Sequence, residues 1–208
     1  MPPTAASTRQ ADTALQADTA TGTSLALKEW AAVGAALLDG RQTVLLRKGG
    51  IHEQRFAVGG SRFVLFPTVA HSHAERVRPE HADVLPVGAA DIDGVGGSFV
   101  VRCGVTLADA VEVTRPEGLG AIADLHIWTA ESVQADRLDF RPKHPLHVLV
   151  VRAVALPTPD RLERLPAYGG CTSWLELPLS WDGRAGTQVH PEARLAEDAA
   201  RVRAAVAR

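Results

Sequence analysis

Hydrophobic residues fall in short runs along most of the chain, and their spacing sorts them into strands and helices. The clearest run is "PLHVLVVRAVALP", residues 145–157, apolar on both faces and bounded by prolines. It predicts a central strand covered on both sides. "TVLLR", 43–47, predicts a second buried strand. "RFAVGGSRFVLFP", 55–67, reads as a hairpin around Gly59-Gly60 closed by Pro67. "SFVVRCGVTLADAVEVT" gives one or two further strands around Gly104, and "YGGCTSWLELPL" a turn followed by a strand.

Other runs have helical spacing. "LALKEWAAVGAALLDG", 25–40, fits two readings. Leu27, Trp30, Ala31, Gly34, Leu37 and Leu38 share one helical face, and Gly40 suits the position just past a helix end. As a strand, the same run would pair with "QTVLLR" through an Asp39-Gly40 turn. Its alanines favour the helix. Pro116 and Glu117 open a helix at "PEGLGAIADLHIW", and Thr129 caps a second, "AESVQADRL". The final "PEARLAEDAARVRAAVAR" places Leu195, Ala199, Val202 and Val206 on one face, with Pro191 in the first turn. Strands in pairs with helices between them, and no regular βα alternation, predict an α+β fold. The expected architecture is a single compact domain over 25–208, with a mixed or antiparallel sheet, interspersed helices and a C-terminal helix. Residues 1–24, rich in Ala, Thr, Asp and Gln, offer no apolar face and read as a disordered tail.

Composition narrows the function classes. The chain has 208 residues, a formal net charge of -2, and lysine only at 28, 48 and 143. This argues against a broadly basic nucleic-acid coat but permits a local basic patch. The two cysteines, Cys103 and Cys171, form no Cys-x-x-Cys pair, which excludes a zinc ribbon or a thioredoxin-type site. The N-terminus lacks the pattern of a secretory signal, and no apolar run reaches the ~18 residues of a membrane span. The expectation is a soluble, cytoplasmic protein with no membrane partner. Oligomeric state and cofactors are unknown from sequence.

Four groups of residues carry candidate chemistry. In "VLLRKGGIHEQRF", Arg47 and Lys48 end a strand at the Gly49-Gly50 turn. Glycine lets consecutive backbone N–H groups approach a ligand, and two cations beside them suit phosphate or carboxylate. The plain alternative is a solvated strand end. The Gly-x-x-x-x-Gly-Lys order of a P-loop is absent. Arg152 also ends the apolar part of a strand. If its strand neighbours that of Arg47, the two guanidinium groups would converge as a second cation for the same corner. In "FPTVAHSHAERVRPEH", His71, His73 and Glu75 lie two apart, so on a strand they share a face and could hold a divalent metal. In a loop that spacing means little. Cys171, after Gly169-Gly170, is exposed to activation if a base stands near it, with His71 or His126 as the base. The plain alternative is a small buried hydrophobe in a turn, the commoner place of a free cysteine. Cys103, inside "FVVRCGV", reads as core.

Taken together, "LKEWAAVGAALLDGRQTVLLRKGGIHE", "FVLFPTVAH", "HIWT", "PLHVLVVRAVALP" and "YGGCTSWLEL" resemble a bacterial family known as domain of unknown function 1802. The resemblance spans roughly residues 25–180 and is most specific at "LLRKGGI" and "GCTSW". It implies one folded unit and draws Arg47, Lys48, Gly49, Gly50, His71 and Cys171 together. It supplies no activity, substrate or cofactor. The sequence reading is therefore a domain that binds an anionic ligand, a phosphate-bearing small molecule or nucleic acid. The alternatives are a cysteine- or metal-dependent hydrolase, and a partner-binding protein without catalysis.

Overall fold

The computed structural model describes residues 22–48, 60–69, 73–94, 97–170 and 172–207, and at His73 the backbone alone. Of the tail expected at 1–24, residues 1–21 lie outside the described residues, as does the first hairpin arm at 55–58.

The ambiguous run at 25–40 adopts both of its alternatives in turn. Ser24–Trp30 is strand β1, and Ala31–Leu38 is helix α1. The helical reading therefore holds for its second half alone. The remaining strands are β2 (Val44–Lys48), β3 (Arg62–Thr68), β4 (Ser98–Glu112), β5 (Leu146–Glu163), β6 (Trp174–Leu177) and β7 (Thr187–Gln188). The described residues make one seven-stranded mixed sheet, ordered β2-β5-β4-β3-β1-β6, with β7 beside β5. β1 and β3 pair in parallel, and the other pairs are antiparallel. β5 has β4 along one edge and β2, then β7, along the other, the central place its two-sided apolar run implies.

Alternation along the strands fills two cores. On β3, Phe63 and Leu65 face the larger cluster while Val64 and Phe66 face the smaller. On β4, Phe99 and Val101 join the smaller and Cys103 and Val105 the larger, because the strand changes face at the irregularity between Val101 and Cys103. The sheet is also curled. Four strand spacings separate β2 from β1 in the sheet order, about 19 Å if it were flat. Yet Arg47 Nη1 on β2 donates to Lys28 O on β1 at 3.2 Å. Only a barrel-like curl brings these strands within an arginine's reach.

Helices α2 (His73–Arg76) and α3 (Val84–Ala89) follow β3. Gly88 brings α3 onto the start of α1, since a Cβ there would sit 2.5 Å from the Ala31 carbonyl carbon. Pro116 begins a helix as expected, but Pro116–Leu125 is wound as 3-10 rather than α. Thr129 Oγ1 accepts from the Ser132 N–H at 3.1 Å and caps α4, Ala130–Val133, which continues as a π-type turn through Asp139. The last helix, α5 (Glu192–Val206), buries Leu195, Ala199, Val202 and Val206, the face its spacing dictates. Asp198 is buried on that face as well, accepting from Thr43 Oγ1 at 2.9 Å and from Arg194 Nε at 3.0 Å. Among the described residues no helix is long and apolar enough to cross a membrane.

Candidate functional site

Arg47 and Lys48 stand where the apolar run of β2 leaves the core, as the sequence implies. Their side chains go to different places. Arg47 Nη1 pairs with Glu29 Oε2 on β1 at 3.0 Å, and the two side chains are 13% and 4% exposed. Lys48 Nζ donates to Arg137 O at 2.8 Å and Leu138 O at 3.4 Å, near the end of the π-type turn. An ammonium has three N–H donors, and the third has no partner among the described residues. Burial, then the Arg137 guanidinium, hold this amine below the usual lysine range.

Lys48 lines a cleft of about 1000 Å³ that opens where β2 and β4 end and β5 begins. Gln134 and Leu138 come from the π-type turn, Lys143 and His144 from the approach to β5, and His147 from the start of that strand. The cleft thus holds two of the chain's three lysines. His144 Nδ1 is buried and makes no hydrogen bond among the described residues. His147 Nε2 stands 3.9 Å from Glu112 Oε2, and Glu117 is the other carboxylate of the lining. The loop that carries Lys143 and His144 is held in an unusual shape. Arg141 has φ 50, the described non-glycine residue with a positive φ, and it precedes a proline. A side chain in this region costs of order 1–3 kcal/mol, a strain that tends to collect at working sites.

The other candidates are spread elsewhere. β2 and β5 do pair, but Arg47 and Arg152 do not converge. Arg47 faces His147, whereas Arg152 lies five residues further along β5 (147 to 152) and pairs with Thr106. That is about 17 Å away on the opposite face of the strand. Arg152 forms an ion pair with Glu192 in the first turn of α5. His126 is buried, and its Nδ1 accepts from the Trp128 N–H at 3.2 Å. Burial, reinforced by the Arg78 guanidinium, lowers its pKa to about 4. At neutral pH it is an uncharged ring whose acceptor nitrogen is already used. Burial pushes the Cys103 thiol up to about 12, in keeping with a core cysteine. Gly49, Gly50, His71, Cys171 and the His73 side chain lie outside the described residues. Glu75 is exposed on α2. Among the described residues, no group of three or more His, Cys, Asp or Glu side chains could hold a metal.

Lys143, His144, His147 and Gln134 do not stand out as site residues in the sequence, because the cleft is assembled from four separated segments. One local signal was available. "RPKHPLH", 141–147, puts an arginine, a lysine and two histidines directly before the strongest strand of the chain.

The family model described as "Domain of unknown function (DUF1802)" matches residues 26–201. The chain belongs to this family. The match runs beyond the 25–180 of the sequence resemblance and takes in much of α5, which therefore is part of the DUF1802 unit. Comparison with curated proteins finds no match. Among solved structures, ASCH from Zymomonas mobilis is 12% identical, with a TM-score of 0.39, over 88% of this chain and 96% of that one. A mutant ZmASCH from the same organism is 15% identical, with a TM-score of 0.37, over 62% of this chain and 66% of that one, just under two thirds. Both superpose too loosely to bear on the chemistry of this DUF1802 chain.

Proposed function

We propose that this DUF1802 domain binds an anionic ligand, a phosphate-bearing small molecule or a nucleic-acid phosphate, in the cleft at the ends of β2 and β4. The observation that supports the reading is the gathering of Lys48 and Lys143 in one cleft, in a chain with three lysines. Lys48 offers a remaining N–H donor from a partly desolvated ammonium, where a charged hydrogen bond is stronger than in water. Lys143 adds an exposed point charge, and the His144 ring a buried nitrogen without a partner among the described residues. Arg47 supports the corner from behind by tying β2 to β1 through Glu29.

Lys48 also caps the π-type turn, so its removal mixes binding with folding. Lys143 separates the two, because it makes no hydrogen bond or ion pair among the described residues. Titration with pyrophosphate and ATP at low salt, followed by calorimetry and thermal shift, is the test. Lys143→Glu should weaken both ligands by roughly tenfold or more, the size of one lost charged hydrogen bond plus repulsion. Its thermal midpoint without ligand should stay within a degree or two of the parent. If neither anion binds the parent protein, or Lys143→Glu binds equally well, the cleft is not the site.

A further inference from the structure

A second cavity lies on another part of the sheet, between α1, α3 and the neighbouring stretch of β1, β3 and β4, with a volume of about 470 Å³. That volume falls within the ~300–1000 Å³ range of small-molecule sites. Its chemistry is opposite to that of the lysine cleft. Leu38, Leu65 and Pro67 give apolar walls, and Trp30 joins the lining, its ring packed edge to face with Trp128, ring centres 4.8 Å apart. The charged residues of the lining are Glu29, Asp39, Asp91 and Arg102, an excess of carboxylate. Asp91 is paired with Arg102, and Asp39 with Arg41.

Glu29 is the unusual member. It is 4% exposed and is set into an otherwise apolar wall. Its Oε1 accepts from the Trp30 N–H at 2.8 Å and its Oε2 from Arg47 Nη1 at 3.0 Å. An ionised carboxylate has about four lone-pair positions, so acceptor capacity remains. The polar offer of this cavity is thus an acceptor, anchored by two donors and next to Trp30.

We propose that this cavity is a second binding site, for a flat aromatic molecule that presents N–H donors, an amidine or an amino-substituted heterocycle, to the Glu29 carboxylate beside Trp30. The ring lies among the apolar walls, where its burial supplies affinity, and the N–H groups meet the one buried acceptor, which supplies selectivity. An anionic aromatic of the same size brings no N–H donor to that acceptor and sets a carboxylate against the Glu29 carboxylate. Gly34 leaves the space open on the α1 side: a Cβ there would meet only Leu65 Cδ1, at 3.9 Å.

The test uses benzamidine and 2-aminobenzimidazole against benzoate, with the full chain, followed by saturation-transfer NMR and calorimetry. Both donor-bearing probes should bind saturably, and benzoate at least about tenfold more weakly. Gly34→Leu, which grows a side chain into the cavity from a helix that tolerates leucine well, should weaken both probes at least about tenfold while the thermal midpoint holds. Glu29→Gln should erase the preference over benzoate, and where that variant fails to fold, Gly34→Leu alone decides. Lys143→Glu should leave benzamidine binding unchanged, which separates this site from the lysine cleft. Failure of both donor-bearing probes to bind, equal binding of benzoate, or unaltered affinity in Gly34→Leu would overturn the assignment.

Discussion

The two concave regions of this molecule are built from opposite materials. The cleft at the ends of β2 and β4 is wide and polar, with Lys48, Lys143 and two histidines on loops and strand ends. The cavity under α1 and α3 is smaller, mostly apolar, and set on regular elements, with Glu29 as its buried charge. One ion pair stands next to both. Glu29 lines the cavity, its partner Arg47 sits on β2, and the next residue, Lys48, turns to the cleft. The comparison teaches that strand alternation here sorts charge by face. Arg47 turns toward β1 to satisfy a buried carboxylate, while Lys48 takes the other face and donates to the Arg137 and Leu138 carbonyls at the cleft. Adjacent cations in one sequence motif therefore do different work.

The strongest way to break this comparison is to remove the shared pair. Glu29→Ala leaves Arg47 13% exposed without its carboxylate, although Lys28 O still accepts from it. Losing one partner of a buried pair costs about 3–5 kcal/mol, so chemical denaturation should show a loss in that range. Glu29→Ala combined with Arg47→Met should recover much of it. A loss below about 1 kcal/mol would mean the pair does not join the two regions.

The second effect comes from His126, outside both regions, and gives a pH signature to set against theirs. Its folded pKa is lowered to about 4, below the ordinary value of 6.5, so the folded state resists a proton that the unfolded chain accepts. Its contribution is present in full above about pH 6.5 and is lost as pH falls from there toward 4, to a limit of about 3 kcal/mol. Urea midpoints measured across that window should fall, and His126→Asn, which keeps an acceptor for the Trp128 N–H, should flatten the decline. An equal slope in parent and variant would assign the acid sensitivity to other groups.

A smaller effect sharpens the account of the cleft. Arg141 holds φ 50 in the loop that presents Lys143 and His144. Arg141→Gly relieves the left-handed strain but frees the unfolded chain, for a net gain of about 0.5–1 kcal/mol. A loss of stability would show that the Arg141 side chain, whose guanidinium lies 5.4 Å from the Phe140 ring centre, contributes more than its backbone costs.

Much of the fold was legible in the chain because burial on both faces leaves long apolar runs. β5, β2 and the α5 face follow directly from "HVLVVRAVAL", "VLL" and the spacing of Leu195, Ala199, Val202 and Val206. The same two-sided burial concealed β1. Ala26 and Leu27 are both in cores, so no polar-apolar alternation marks the strand, and alanine-rich α1 follows it without a turn. The 3-10 winding of Pro116–Leu125 was hidden because its local signals suit either helix, while the backbone of α5 passes so close that a Cβ on Gly118 would lie 2.0 Å from Ala205 O. Of the cleft, Lys48 was legible as a strand-end cation. Its partners were not, because register and curl bring them together from distant segments. Glu29 reads as an ordinary solvated charge until the curl of the sheet sets Arg47 against it.

The most direct test of anion binding in the cleft uses the scarcity of lysine. Labelling lysine with 13C at Cε gives side-chain signals from Lys28, Lys48 and Lys143 alone. Lys28 is an internal control, since its Nζ donates to Gly169 O at 3.0 Å and Gly170 O at 3.1 Å, and it does not line the cleft. On titration with pyrophosphate, the Lys48 and Lys143 signals should move together along one saturation curve while Lys28 stays in place. Signals that do not move, or a Lys28 shift as large as the other two, would contradict an anion site in this cleft.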